Sequence, residues 1–123
     1  MLNKRQQFGK ESESEAVRYL KKSGYKILEQ NYRTKLGEID IIAKDKGTIA
    51  FIEVKGRKSG NYGNPKWAVT PKKQRKISMV ALYYLKATNQ NGEKARFDVV
   101  AITSDYDNSR IEIVKNAFEL AYP

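Results

Sequence analysis

Apolar residues recur with helical spacing between Gly9 and Ser23. Glu13, Ala16, Val17 and Leu20 fall at i, i+3, i+4 and i+7, and Gly24 follows as a stop. Tyr25 to Asn31, "YKILEQN", reads as a short strand leading into a turn. The apolar runs Glu38–Ala43 and Thr48–Lys55 predict a β-hairpin around "KDKG". A Gly/Asn/Pro-containing stretch from Gly56 to Val69 has no periodicity and reads as a loop. Thr70-Pro71 then supplies an N-cap and a proline at the first helical position, and the predicted helix runs to about Lys86. Its inner face is Ile77, Val80, Ala81, Tyr84 and Leu85. "NQNGE" breaks that helix, "ARFDVVAI" is a strand, "SDYDNS" a turn and "RIEIVKN" a further strand. The tail "AFELAYP" is expected to be a short helix or irregular. Helix, strands, helix, strand, strand predicts a mixed sheet with helices packed against it, in the α/β or α+β range. At 123 residues, with no repeat or linker, the chain is read as a single domain, 1–123.

Three ionisable groups break this apolar pattern. Asp40 interrupts the first hairpin strand, and Glu53 and Lys55 sit at the end of the second. A buried charge costs several kcal/mol unless it is paired or metal-bound. Alternate residues of a strand share a face, so Glu53 and Lys55 point the same way. Whether Asp40 joins them depends on the turn. A two-residue turn at Asp45-Lys46 pairs Ile42 with Ile49, Asp40 with Phe51 and Glu38 with Glu53, making Asp40 and Glu53 diagonal neighbours. A three-residue Asp45-Lys46-Gly47 turn puts Asp40 on the opposite face unless a bulge restores the parity.

If the carboxylates converge, Asp40 and Glu53 can hold a divalent ion, and Lys55 can orient a water or stabilise charge on a phosphate. Glu13 heads the apolar stripe of the first helix and is a candidate further ligand, direct or through water. Counting back from Ile77 places Lys73 and Gln74 on the inward side of the second helix's first turn, where they could meet phosphate. The bland readings stand beside these. By composition about two Glu-x-Lys triplets are expected in such a chain. Glu53 and Lys55 could form a surface pair, and Glu13 could be an ordinary helix residue. Asp98 in "RFDVV" is read as structural, paired with Arg96 or a backbone group.

Composition narrows the chemistry. The chain has neither histidine nor cysteine. That removes Ser-His-Asp and thiolate nucleophiles, disulfides and zinc–sulfur sites, and any metal must be held by oxygen, which selects a hard ion such as Mg2+ or Mn2+. No apolar run has signal-peptide or membrane-spanning length, so a cytoplasmic protein without membrane association is expected.

The net charge is +10 and unevenly spread. Between Val54 and Gly92 there is no acidic residue, while Lys55, Arg57, Lys58, Lys66, Lys72, Lys73, Arg75, Lys76 and Lys86 all fall there. Such a block can be a plain solvated face. With Tyr62 and Trp67 inside it, it suits a nucleic-acid backbone better.

"GEIDIIAKD", "FIEVKGR", "AVTPKKQRKI" and "RFDVVAI" resemble, in this order, the signatures of the YraN family. These small bacterial proteins are similar to archaeal Holliday-junction resolvases of the PD-(D/E)XK nuclease superfamily, and the resemblance spans roughly Gly9 to Ala117. It implies a restriction-endonuclease-like α/β core, a central mixed sheet flanked by helices. It also implies catalytic roles for Asp40, Glu53 and Lys55, with Glu13 as the helix-one glutamate and Lys73-Gln74 as the pair after the loop. Ile39 stands where the superfamily often has proline.

The expectation is therefore a Mg2+- or Mn2+-dependent endonuclease acting on DNA, with branched or otherwise structured DNA among its candidate substrates. Asp40 and Glu53 would hold the metal with support from Glu13, and Lys55 would position the attacking water. Arg57, Lys58, Lys66, Lys72, Lys73, Gln74, Arg75 and Lys76 would grip the backbone. The resemblance leaves room for a two-fold homodimer. The alternatives are a nucleic-acid-binding protein that keeps the fold without cleaving, and an accessory protein whose basic surface meets an acidic partner.

Overall fold

The computed structural model describes residues 2–58, 68–105 and 108–121. Lys66, Tyr62 and Trp67 therefore lie outside the described residues, as does the side chain of Lys58. The elements are α1 (Lys4–Lys22), β1 (Lys26–Thr34), β2 (Gly37–Asp45), β3 (Thr48–Lys58), α2 (Pro71–Ala87), β4 (Ala95–Asp105) and β5 (Asn108–Phe118). The sheet order is β1-β2-β3-β4-β5. Neighbours are antiparallel except β3 and β4, which are parallel. A parallel pair needs a crossover, and α2 supplies it.

Each helix covers one face of the sheet. Ala16, Val17 and Leu20 of α1 bury against Ile41, Ala43, Ala50, Ile52, Val100 and Ile102. Ile77, Val80, Ala81, Tyr84 and Leu85 of α2 bury against Ile39, Ile42, Ile49, Phe51 and Phe97 on the other. This is the α/β architecture that the resemblance implies: a central mixed sheet flanked by helices.

α1 begins at Lys4 rather than Gly9. Its first turns carry no apolar stripe and are held instead by a capping box, in which Asn3 accepts from the Gln6 amide while Gln6 accepts from that of Asn3. α2 starts at Pro71 as expected, with Thr70 capping the Lys73 amide. β5 runs on to Phe118, so the first part of the tail is strand rather than helix. Phe118 stacks on Phe97 at 4.8 Å and 16°, which draws the chain along the sheet.

The β2–β3 turn is the decisive local correction. It is a two-residue turn at Lys46-Gly47, with Asp45 paired to Thr48. Both central residues have positive φ, 49° and 88°. The hairpin turn that matches strand twist requires this, and glycine must occupy one of the two places. The register thus differs from the one expected for Asp45-Lys46: Ile42 pairs with Phe51 and Ile41 with Ile52. The shift amounts to two residues, so the parity survives and the next positions in line are Asp40 and Glu53.

Candidate functional site

At Asp40 the sheet opens. Ladder pairing between β2 and β3 ends at Ile41–Ile52, yet both strands continue, β2 along β1 and β3 along β4. Strict alternation also lapses here: Ile39 and Ile42 pack on the α2 side, and Ile41 on the α1 side. In the opening, Asp40 Oδ2 accepts from the Val54 amide at 2.8 Å, taking the place of a strand carbonyl. Asp40 is thereby fixed to β3 by its own carboxylate, next to the position of Glu53.

Glu53 is 5% exposed, and its carboxyl lies within hydrogen-bond reach of that of Asp40. Burial first, and the Asp40 charge second, push its pKa up to about 8, while Lys73 pulls the other way. Lys73 Nζ reaches across from α2 to Glu53 Oε1 at 2.8 Å. Desolvation opposes the charged form of Lys73, but the bond to Glu53 outweighs it and raises its pKa. Lys55 is half-buried and donates to the carbonyl of Ala68, where the chain returns toward α2. Burial lowers its pKa, the Glu53 charge opposes that, and Lys73 and Arg57 add to the lowering.

On the α1 side, Glu13 is half-buried and its carboxyl is raised by desolvation, then by Asp40 and Glu38. With the Asn31 amide in the orientation that satisfies both its oxygen and its nitrogen, the nitrogen donates to Glu38 Oε1 at 3.0 Å and Glu13 Oε2 at 3.2 Å. Arg33 Nε also faces Glu38 Oε2, at 3.4 Å.

The structure thus gathers Glu13, Asp40, Glu53, Lys55 and Lys73 around one opening. Gln74 is adjacent, but its amide nitrogen is engaged by the Val69 carbonyl at 2.7 Å, so that group pins the entry to α2. Lys72, Arg75 and Lys76 are exposed on α2, and Arg57 is half-buried on β3. Asp98 is fully buried and structural: it accepts from Arg96, Tyr25 and the Asn116 amide, and Arg96 continues to Asp45 at 2.7 Å.

Asn31 and Glu38 escaped the sequence reading. In the sequence the first strand ends at Asn31, where an asparagine entering a turn draws no notice, whereas β1 runs on to Thr34 and leaves Asn31 within the strand. Its φ is 53°.

Among the described residues no three carboxylates stand close enough to form a ready-made metal cage. The paired Asp40 and Glu53 nevertheless fit a hard divalent ion. Both offer oxygen, and the buried Glu53 carboxylate already has a cation, the Lys73 ammonium, against it. Among the described residues no helix is long and apolar enough to cross a membrane.

A family model described as "Uncharacterised protein family UPF0102" matches residues 12–102. A UPF0102 protein of Desulfosudis oleivorans is 57% identical over 97% of this chain and 95% of its own. UPF0102 proteins of Syntrophus aciditrophicus, at 54% identity over 93% and 90%, and of Persephonella marina, at 47% over 93% and 95%, are similar throughout.

Proposed function

The chain belongs to the uncharacterised protein family UPF0102, the YraN family, and we propose that it is a Mg2+- or Mn2+-dependent endonuclease acting on DNA, with branched or structured DNA among its candidate substrates. The observation that carries this reading is the buried Glu53 carboxyl next to Asp40, which accepts from the Val54 amide, at a break in the sheet flanked by Lys55 and Lys73. A buried carboxyl set beside a second one, with its pKa pushed up to about 8, is the kind of perturbation that clusters at functional sites.

Asp40 and Glu53 would bind the ion, with Glu13 supporting it from α1. When bound, the ion supplies Lewis-acid polarisation of the scissile phosphate. Lys55 orients the attacking water, and its lowered pKa reduces the cost of giving up or exchanging a proton. Lys73, which bonds Glu53 at 2.8 Å, would be free to meet phosphate if Glu53 held an ion. Lys72, Arg75 and Lys76 bind the backbone from the same helix.

A second reading has its own support: Lys73 already neutralises Glu53, and Lys55 is tied to Ala68, as in a protein that binds nucleic acid without cutting. One assay separates the two. The purified protein and Asp40→Asn are incubated with linear duplex, single-stranded and four-way-junction DNA, with Mn2+, with Mg2+ and with chelator. The nuclease reading expects metal-dependent cleavage that Asp40→Asn abolishes. Binding to every substrate with no cleavage under either metal overturns it in favour of the binding protein.

A further inference from the structure

The carboxylates at the opening raise a question that the metal ligands alone do not answer. Glu13 comes from a helix, Glu38 and Asp40 from β2, and Glu53 from β3, and mutual repulsion drives them apart unless something holds them. Arg33 reaches Glu38 from the outside at 3.4 Å, and Lys73 holds Glu53 from the α2 side. Between Glu13 and Glu38 stands Asn31.

Its place is set by register. In β1, Gln30 pairs with Ile41 and Tyr32 with Ile39, so Asn31 lies across from Asp40. Asn31 and Asp40 thus lie at one level of the β1–β2 pair, just where β2 parts from β3 beside Glu53. The backbone of Asn31 is left-handed, φ 53°, a conformation that asparagine tolerates and branched residues do not. Its amide then bonds one carboxylate from α1 and one from β2.

The choice of an amide is chemically informative. An NH2 group carries two donors and can serve two acceptors at once. A lysine or arginine here would also hold the carboxylates, but it would cancel the negative charge that attracts a cation. A neutral donor fixes their geometry and leaves the charge in place.

We infer that Asn31 is the positioning residue of this site, holding Glu13 and Glu38 beside Asp40 so that Glu13, too far to complete a three-carboxylate cage, supports through a water the ion bound by Asp40 and Glu53. The inference rests on the proposed metal site and names what orders its α1 side. Groups that orient metal ligands typically matter by about tenfold or more in affinity.

The test measures Mn2+ binding directly, from the electron paramagnetic resonance signal of free Mn2+, without DNA and without turnover. The proteins are wild type, Asn31→Gly, Asn31→Ala, Glu13→Gln and Asn31→Gly with Glu13→Gln. Glycine accepts a φ of 53° without strain, so Asn31→Gly removes the amide and keeps the backbone; its thermal midpoint is recorded alongside. Asn31→Gly and Asn31→Ala are expected to raise the Mn2+ Kd about tenfold, and Glu13→Gln to raise it at least as much. In the Glu13→Gln background the Asn31→Gly change is expected to add nothing, since Asn31 acts through Glu13. A purely structural asparagine would instead lower the thermal midpoint and weaken Mn2+ equally in both backgrounds, which overturns the inference. So does wild-type affinity in Asn31→Gly when Glu13→Gln is weakened. If wild type itself binds no Mn2+, the metal reading falls and takes this inference with it.

Discussion

Glu53 shows how far one buried side chain can be pushed. Its carboxyl ionises near pH 4.5 when unperturbed and at about 8 in the fold, because burial and then Asp40 disfavour the charge. The folded state therefore keeps a proton that the unfolded chain releases. Stability from this group is complete below the unfolded value and is lost as pH rises toward 8. Lys73 has the opposite charge and a raised pKa, so its contribution fades only above its ordinary value of 10.5, outside this window. Metal-free protein is thus expected to lose stability between pH 5 and 8 at up to ~1.4 kcal/mol per pH unit, and Glu53→Gln to lose less. Urea unfolding of both proteins across that range, in chelator, checks it. Parallel pH profiles would remove Glu53 as the source of the proton. Glu13, raised in the same direction, is present in both proteins and drops out of the difference.

Elements bring these side chains together, and α1 does so by an unusually close approach to β3. A β-carbon on Gly56 would lie 2.6 Å from Ser12 Oγ and 2.9 Å from Phe8 Cε1. Gly56 directly follows Lys55, and Ser12 directly precedes Glu13. That contact, together with the packing of Ala16, Val17 and Leu20 on Ala50 and Ile52, limits how closely α1 and β3 approach at the site. Gly56→Ala is expected to cost about 1–3 kcal/mol, since Ser12 is buried and must give way. It should also move Glu13 outward, weakening Mn2+ binding. An unchanged unfolding midpoint would show that α1 yields without strain. The same elements show what a sequence discloses. α2 was legible to within a residue of its end, because a capping threonine, a proline and a clean apolar stripe all agree. Asp40, Glu53 and Lys55 stood out because each breaks an apolar run. The start of α1 was hidden, since capping rather than packing makes it. The hairpin register depended on which residues of "KDKG" take positive φ, and glycine was the better guide. Asn31 and Glu38 were not legible, because their meeting depends on the β1–β2 register and a left-handed residue within β1.

At the scale of the molecule, the parallel β3–β4 step delivers the basic charge to the site. α2 crosses over between these strands, and its first turn lies beside the middle of β3, where Lys73 reaches Glu53 at 2.8 Å. Lys72, Arg75 and Lys76 are exposed on that helix, in a chain of net charge +10. If this surface tracks a DNA backbone, each contacted phosphate releases counterions, contributing about 0.9 to the slope of log K against log salt on duplex DNA. Replacing Lys72, Arg75 and Lys76 together by alanine should make that slope shallower by about 2–3. The loss of affinity should be similar for duplexes of different sequence, since phosphate contacts carry no sequence information. None of the three lies against the carboxylates, so Mn2+ binding should stay at the wild-type level. Fluorescence anisotropy at a series of salt concentrations measures the slope. A slope equal to that of wild type would place the phosphate contacts elsewhere on the protein, and the helix would then serve the site only through Lys73 and Gln74.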